Sequence, residues 1–220
     1  MQQMHTRDLF DAAAPDAREE QLAPGAWLLR GFALDRMTEV LAGIGCVQSS
    51  APFRHWVTRG GFRMSVAMTN CGRLGWVSDP AGYRYEACDP LDGRPWPPMP
   101  SAFLGLAQAA ALAAEFPDFI PDACLLNRYE PGARLTLHQD KDERNFGAPI
   151  VSVSLGLPAV FLFGGDARTD SHRRVVLHHG DVVVWGGPAR LRHHGVLALK
   201  DGHHEVLGSQ RINLTFRKAG

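Results

Sequence analysis

The 220-residue chain has no net charge: 23 Lys and Arg balance 23 Asp and Glu. A molecule-wide field able to hold a nucleic acid is thereby excluded, so any such binding needs a local basic patch. Cysteine is scarce as well. Cys46, Cys71, Cys88 and Cys124 show no Cys-x-x-Cys spacing, which argues against a zinc ribbon or redox pair and for reduced thiols. No apolar run reaches the length of a membrane span, and Met1–Asp8 carries no hydrophobic signal core. Internal repeats and low-complexity tracts are missing too. The expectation is a cytoplasmic, soluble monomer with no membrane partner.

What is present divides by composition. Residues 1–24 are polar and rich in Ala and Pro, and read as a loosely ordered lead-in. In an N-terminal extension, residues 25–122, Ala26–Phe32 alternates like a strand. Asp35 is placed to cap a helix carrying Met37, Val40, Leu41 and Ile44 on one face. Residues from about 50 to 100 hold many aromatics among Gly and Pro, and Pro95–Pro100 excludes a helix. This stretch is either an irregular cover packed by its own aromatics or a substrate lid. Ser101 opens an Ala-rich helix to about Phe116.

From residue 123 to 220 the pattern is strands: 123–129, 134–140, 150–156, 159–164, 173–177, 181–185, 191–197 and 211–217. Eight short strands with turn signals predict a double-stranded β-helix, or jelly roll, with the two helices against one outer face. The fold class is mainly β with flanking helices (α+β).

At three places a His is followed two residues later by an acid: His138/Asp140, His179/Asp181 and His203/Glu205. With this composition about one His-x-Asp is expected by chance, so geometry must choose. Residues i and i+2 of a strand share a face, and His138 and Asp140 end an alternating segment. Gly180 splits the second pair in a turn, where Asp181 orders the loop before Val182. The third pair has no later His to complete a triad. In a jelly roll the second and seventh strands lie side by side, and His194 falls on the seventh. His193 faces the other way, whereas His194 precedes Gly195, where close backbone approach is easy. Two His and one carboxylate on one face suit Fe(II) oxygenases, with a catalytic zinc site as the chemical competitor.

The last strand puts Arg211, Asn213, Thr215 and Arg217 on one face and Ile212, Leu214 and Phe216 on the other. On an outer sheet the arginines would meet water. Inside a jelly roll beside a metal, two planar guanidinium forks can hold a ligand with a carboxylate at each end. Asn127 and Tyr129, two apart on the first core strand, can add an amide and a phenol.

These residues, with the blocks Met64–Gly72, Leu74–Trp76, Asn127–Tyr129, His138–Glu143, Pro149–Pro158 and Gly180–Gly187, resemble the AlkB family of Fe(II)/2-oxoglutarate-dependent dioxygenases. The likeness runs from about Gly25 to Gly220. It implies that His138, Asp140 and His194 bind Fe(II), and that Asn127, Tyr129, Arg211, Asn213, Thr215 and Arg217 hold the co-substrate 2-oxoglutarate, with O2 as second co-substrate. It implies a nucleotide-recognition lid within 50–100. Met68, Trp76, Tyr83, Arg84, Tyr85, Asp142 and Arg168 would be its substrate contacts, Trp76 stacking the base against His138. The implied activity is oxidative dealkylation of 1-methyladenine- and 3-methylcytosine-type bases, releasing succinate, CO2 and formaldehyde. The implied partner is single- or double-stranded DNA, with RNA as a second candidate. The alternative is a 2-oxoglutarate-dependent hydroxylase of another substrate class. Arg128, Arg134, Lys141, Arg168, Arg173, Arg174, Arg190 and Arg192 lie on the catalytic half and are candidates for a phosphate-binding patch. Arg190–His193 is more basic than the family pattern.

Overall fold

The computed structural model describes residues 19–220. Alternating apolar residues build two facing antiparallel sheets. The strands are β1 (Glu19–Ala23), β2 (Ala26–Leu29), β3 (Ala67–Gly72), β4 (Gly75–Asp79), β5 (Gly82–Glu86), β6 (Ala123–Tyr129), β7 (Leu135–His138), β8 (Ile150–Gly156), β9 (Ala159–Phe163), β10 (Arg173–Leu177), β11 (Val182–Trp185), β12 (His194–Val196) and β13 (Arg211–Arg217). The larger sheet runs β1-β2-β11-β8-β13-β6-β3 and the smaller β10-β9-β12-β7, while β4 and β5 form a separate hairpin. The eight expected core strands fall into two four-stranded sets, the jelly-roll arrangement, and β1, β2 and β3 extend the larger one.

Period-two alternation divides the core in two. Val182 and Val184, Val151 and Val153, and Ile212, Leu214 and Phe216 point outward onto a helical layer. Val183, Trp185, Ile150, Tyr129, Phe161 and Phe163 point between the sheets. The helical layer is α1 (Met37–Ser50) and α2 (Ser101–Ala113). On α1, Val40, Gly43, Ile44 and Val47 are buried, the stripe expected of an amphipathic helix. Gly43 allows a close helix contact: an added Cβ would lie 2.8 Å from Cε1 of Phe103 on α2. Phe103 in turn meets Phe216 edge-on at 6.0 Å between centroids.

Three local expectations are corrected. Within the lead-in set at 1–24, residues 19–23 form a strand, paired with β2 and tied by Glu20 to Arg30 and Arg173; residues 1–18 lie outside the described residues. Asp35 sits in a 3-10 turn, and α1 starts after Arg36 with no side-chain cap. Helix α2 stops at Ala113 because Glu115 turns left-handed, at φ 68°, and the Phe116 N–H donates back to the Ala111 carbonyl.

Candidate active site

The pairing of β7 with β12 puts His138 and His194 directly opposite each other, with ring centroids 4.5 Å apart. Asp140 lies past the end of β7, so its place does not follow from strand alternation. Two arginines hold it instead. Arg217 donates from Nε and Nη2 to Asp140 Oδ2 at 2.9 and 2.6 Å, and Arg190 Nη1 donates to the Asp140 carbonyl at 2.8 Å. One ligand atom from each of His138, Asp140 and His194 then falls within 4.8 Å of the others. The close approach of β12 to β7 requires Gly195, where a Cβ would lie 2.8 Å from the Leu135 carbonyl oxygen.

The donor set fits a metal ion. His138 Nδ1 donates to the Thr136 carbonyl at 2.8 Å, and His194 Nδ1 to the Arg192 carbonyl at 3.0 Å. Each bond fixes the tautomer that turns a lone pair on Nε2 toward Asp140, 3.7 Å away in both cases. Burial, followed by the neighbouring His138, pushes His194 down to about 4, so its ring is neutral at pH 7. Burial alone would raise the Asp140 carboxyl. Arg217, then His194 and His138, hold it well below the usual carboxylate range. Two imidazoles and one carboxylate on one side of an ion leave its other positions open.

Arg211, Asn213, Thr215 and Arg217 face the interior and are buried, so the solvent-facing alternative fails for this strand. Register places Tyr129 opposite Arg211 and Asn127 opposite Asn213. Asn213 and Thr215 are locked in place: Asn213 Nδ2 donates to Ser152 Oγ at 2.8 Å, and Thr215 Oγ1 to Asn213 Oδ1 at 2.8 Å. Arg211, 1% exposed, donates from Nη2 to Ser154 Oγ at 3.0 Å and lies 4.9 Å from the Tyr129 ring centroid. Its Nε and Nη1 have no hydrogen-bond partner among the described residues. Buried guanidinium nitrogens are usually completed by protein, water or a ligand, and single ones are open on Arg84, Arg128 and Arg192 too; the two of Arg211 are set apart by the space before them. They border a cavity of about 40 Å³ shared with Asn127, Tyr129, His138 and His194. Burial pushes the Tyr129 phenol up to about 12, so it too stays a donor. This set fits a carboxylate.

A larger cleft of about 720 Å³ opens beyond, walled by Met68, Trp76, Tyr83, Asp142 and Arg168 together with His138, Asp140 and Arg217. That volume suits a ligand of nucleobase size and larger. Trp76 stacks on Tyr83 at 5.6 Å between centroids and donates from Nε1 to Asp142 Oδ2 at 2.9 Å. Tyr85 lies on the same hairpin face but is occupied, donating from its hydroxyl to Glu143 Oε1 at 2.8 Å. Arg84 is not brought into the cleft. It pairs across the hairpin with Val77, on the opposite face, and binds Asp79 and Glu86.

Glu143 and Arg190 did not emerge from the sequence as a pair. Both are buried, and they meet at 3.0 Å. Arg190 is thus no phosphate contact, because its guanidinium faces inward to Glu143, the Ala148 carbonyl and the Asp140 carbonyl. Glu143 also meets Arg217 Nε at 3.2 Å, so a continuous chain links Tyr85 on β5 to Asp140. The only sequence signal was the density of acids after His138. Of the other patch candidates, Arg134, Lys141 and Arg168 line the cleft, Arg128 covers Phe53, Arg192 covers Phe163 and Arg173 binds Glu20.

Comparison with known proteins agrees with this geometry. Residues 25–217 match the 2OG-Fe(II) oxygenase superfamily. The chain is 56% identical to "Alpha-ketoglutarate-dependent dioxygenase AlkB" of Escherichia coli over 213 residues, 97% of this chain and 98% of that protein. It is 48% identical over 181 residues to the AlkB homolog of Caulobacter vibrioides, covering 82% and 79% of the two chains. The solved structure of OsALKBH1 superposes with a TM-score of 0.79 at 32% identity, covering 91% of this chain and 99% of that one. A superfamily match from β2 to the last strand, and identity above one half along nearly the full length of a relative, make this chain a member of the AlkB family of 2OG-Fe(II) oxygenases, which use Fe(II), 2-oxoglutarate and O2.

Proposed function

We propose that the protein repairs N-alkylated nucleic-acid bases of the 1-methyladenine and 3-methylcytosine type by oxidative dealkylation. Its substrate would be single- or double-stranded DNA, with RNA second. His138, Asp140 and His194 would hold Fe(II); Arg211, Asn127, Tyr129, Asn213, Thr215 and Arg217 would form the 2-oxoglutarate site. When bound, these groups with O2 supply hydroxylation of the N-methyl group, giving succinate and CO2 and then formaldehyde with the free base. The chain contributes position and exclusion of water. Arg211 offers two free donors to a carboxylate, and the phenol beside it stays protonated. Trp76 and His138 wall the cleft so that a planar base can lie between them. Asp142 presents a carboxylate to the base edge, and Arg134, Lys141 and Arg168 present cations to phosphates. A base stacked inside a duplex cannot reach such a floor, so it must be flipped out or arrive single-stranded. The four cysteines are free thiols, which accords with a cytosolic setting.

One observation carries the reading: the small arginine-lined cavity and the aromatic cleft share His138 and Arg217 as walls. The diacid site and the base site thus meet at the metal triad. The test is mass spectrometry of a 1-methyladenine oligonucleotide incubated with protein, Fe(II), 2-oxoglutarate and ascorbate. Loss of the methyl group is expected in the native protein and not in Asp140→Ala. Turnover of 2-oxoglutarate without any change in the oligonucleotide would reject the nucleic-acid assignment.

A further inference from the structure

Most large aromatics of the lid are already engaged. Trp56 and Trp96 are buried, Phe53 lies under Arg128, Trp76 and Tyr83 stack on each other, and Tyr85 is bonded to Glu143. Phe62 stands apart, with 76% of its surface exposed. It sits in a tight turn in which the Thr58 N–H donates to the Phe62 carbonyl and the Gly61 N–H to the Thr58 carbonyl. Gly61, at φ 78°, supplies the left-handed residue that the turn needs. One side of the Phe62 ring rests against Gly60, where an added Cβ would lie 3.3 Å from Cδ2 and Cε2. The turn therefore supports the ring. Arg59 and Arg63, both exposed, flank it, and Phe62 and Arg63 border the same cleft as His138, Trp76 and Arg134.

An aromatic ring supported by its own turn, open to solvent, flanked by cations and placed at the rim of a base-sized cleft suits a nucleobase outside that cleft. We propose that Phe62 is a stacking platform for the nucleotide adjacent to the damaged one, with Arg59 and Arg63 facing the phosphates of that part of the strand. The target base occupies the interior beside His138 and Trp76. What reaches an exposed rim residue is the neighbouring base, which is unstacked once its partner has been withdrawn. Base–aromatic stacking is tolerant of sequence and is worth on the order of a tenfold change in affinity or more, so the platform favours strands over monomers without reading sequence. This rests on the nucleic-acid reading of the cleft and extends it to the flanking nucleotide.

The test uses three 1-methyladenine substrates: the mononucleotide, a single-stranded pentamer with normal neighbours, and the same pentamer with abasic neighbours. Phe62→Ala should lower kcat/KM on the normal pentamer about tenfold. It should leave the mononucleotide and the abasic pentamer within about twofold, while Phe62→Trp retains the native pattern. In a binding readout independent of turnover, 2-aminopurine beside the lesion should be quenched by the native protein and by Phe62→Trp, and not by Phe62→Ala. Equal losses on all three substrates would mean that Phe62 only supports the lid fold, and unchanged kinetics with unchanged quenching would mean that it touches no base; either overturns the platform. If the native protein demethylates none of the three yet consumes 2-oxoglutarate, the parent reading falls and the platform with it, an outcome distinct from the other two.

Discussion

Replacing Arg211 by Met should make the ligand-free protein more stable while abolishing its response to 2-oxoglutarate. The guanidinium is 1% exposed, and that burial pushes its pKa down, against the pull of the neighbouring Tyr129. Among the described residues only Nη2 has a hydrogen-bond acceptor, Ser154 Oγ; Nε and Nη1 have none. An unsatisfied buried donor costs about 1–3 kcal/mol. The bond to Ser154 that methionine gives up returns about 1.5–3 kcal/mol, and methionine fills a similar volume beside Tyr129. With two free donors and the desolvated charge removed against one bond lost, the net gain is about 2 kcal/mol. For a domain of this size that raises Tm by about 4–8 °C. In the native protein, 2-oxoglutarate at one hundred times its Kd should add about 2.7 kcal/mol, because its carboxylate completes the free donors. Thermal unfolding is followed with chelator, then with Mn²⁺ and increasing 2-oxoglutarate. Arg211→Met should start higher and stay flat, whereas the native protein starts lower and climbs. A variant that melts below the native protein without ligand, or that keeps the full 2-oxoglutarate response, would refute the view that Arg211 is held unsatisfied for a carboxylate.

Two further outcomes follow from the geometry. Gly195→Ala should part β12 from β7, because the new Cβ would lie 2.8 Å from the Leu135 carbonyl oxygen and 3.2 Å from the Leu137 nitrogen; metal affinity, measured by titration with Mn²⁺, should fall at least about tenfold, and an unchanged affinity would rule the clash out. The metal-free protein should lose stability in acid because His194 stays neutral when folded, its pKa lowered by burial and His138 to about 4. Below pH 6.5 the unfolded chain binds a proton that the folded protein refuses, so stability falls as pH drops from about 6.5 to about 4, by up to about 3 kcal/mol. Asp140, held below the ordinary carboxylate range, extends the loss to lower pH. Urea midpoints across this range should slope in the native protein and flatten above pH 4 in His194→Gln.

What was legible in the sequence depended on how far each residue's placement follows from strand periodicity. The sharing of one face by Arg211, Asn213, Thr215 and Arg217 is a period-two fact, and both faces of β13 are buried because a helical layer covers one and the jelly-roll interior the other. Strand counting and the glycine after it single out His194, and the register sets it opposite His138. Period two also separates Arg84 from Tyr83 and Tyr85, although the family resemblance groups the three. Asp140 and Glu143 lie beyond the end of β7, where no repeat fixes direction. Arg190 follows a 3-10 turn, Gly187–Ala189, that turns a charge typical of a surface into the interior. Glu19–Ala23 was hidden for a different reason: its pairing with β2 is made by the backbone, and its mixed composition carries no alternation.

The buried charges around the triad also explain why metal and diacid belong together. Asp140 and Glu143 contribute two negative charges, and Arg190, Arg211 and Arg217 three positive ones, all on side chains at most one-tenth exposed, while His194 is held neutral. The interior therefore carries one excess positive charge. A divalent cation alone would raise that to three, which is costly where the medium screens weakly. A dianion alone would turn it to minus one beside a carboxylate already stabilised by Arg217. If Arg211 and the two histidines hold them as proposed, the two together would return the site to its starting balance. The neutral whole-chain charge thus conceals an interior whose charge favours taking up the cation and the diacid as a pair.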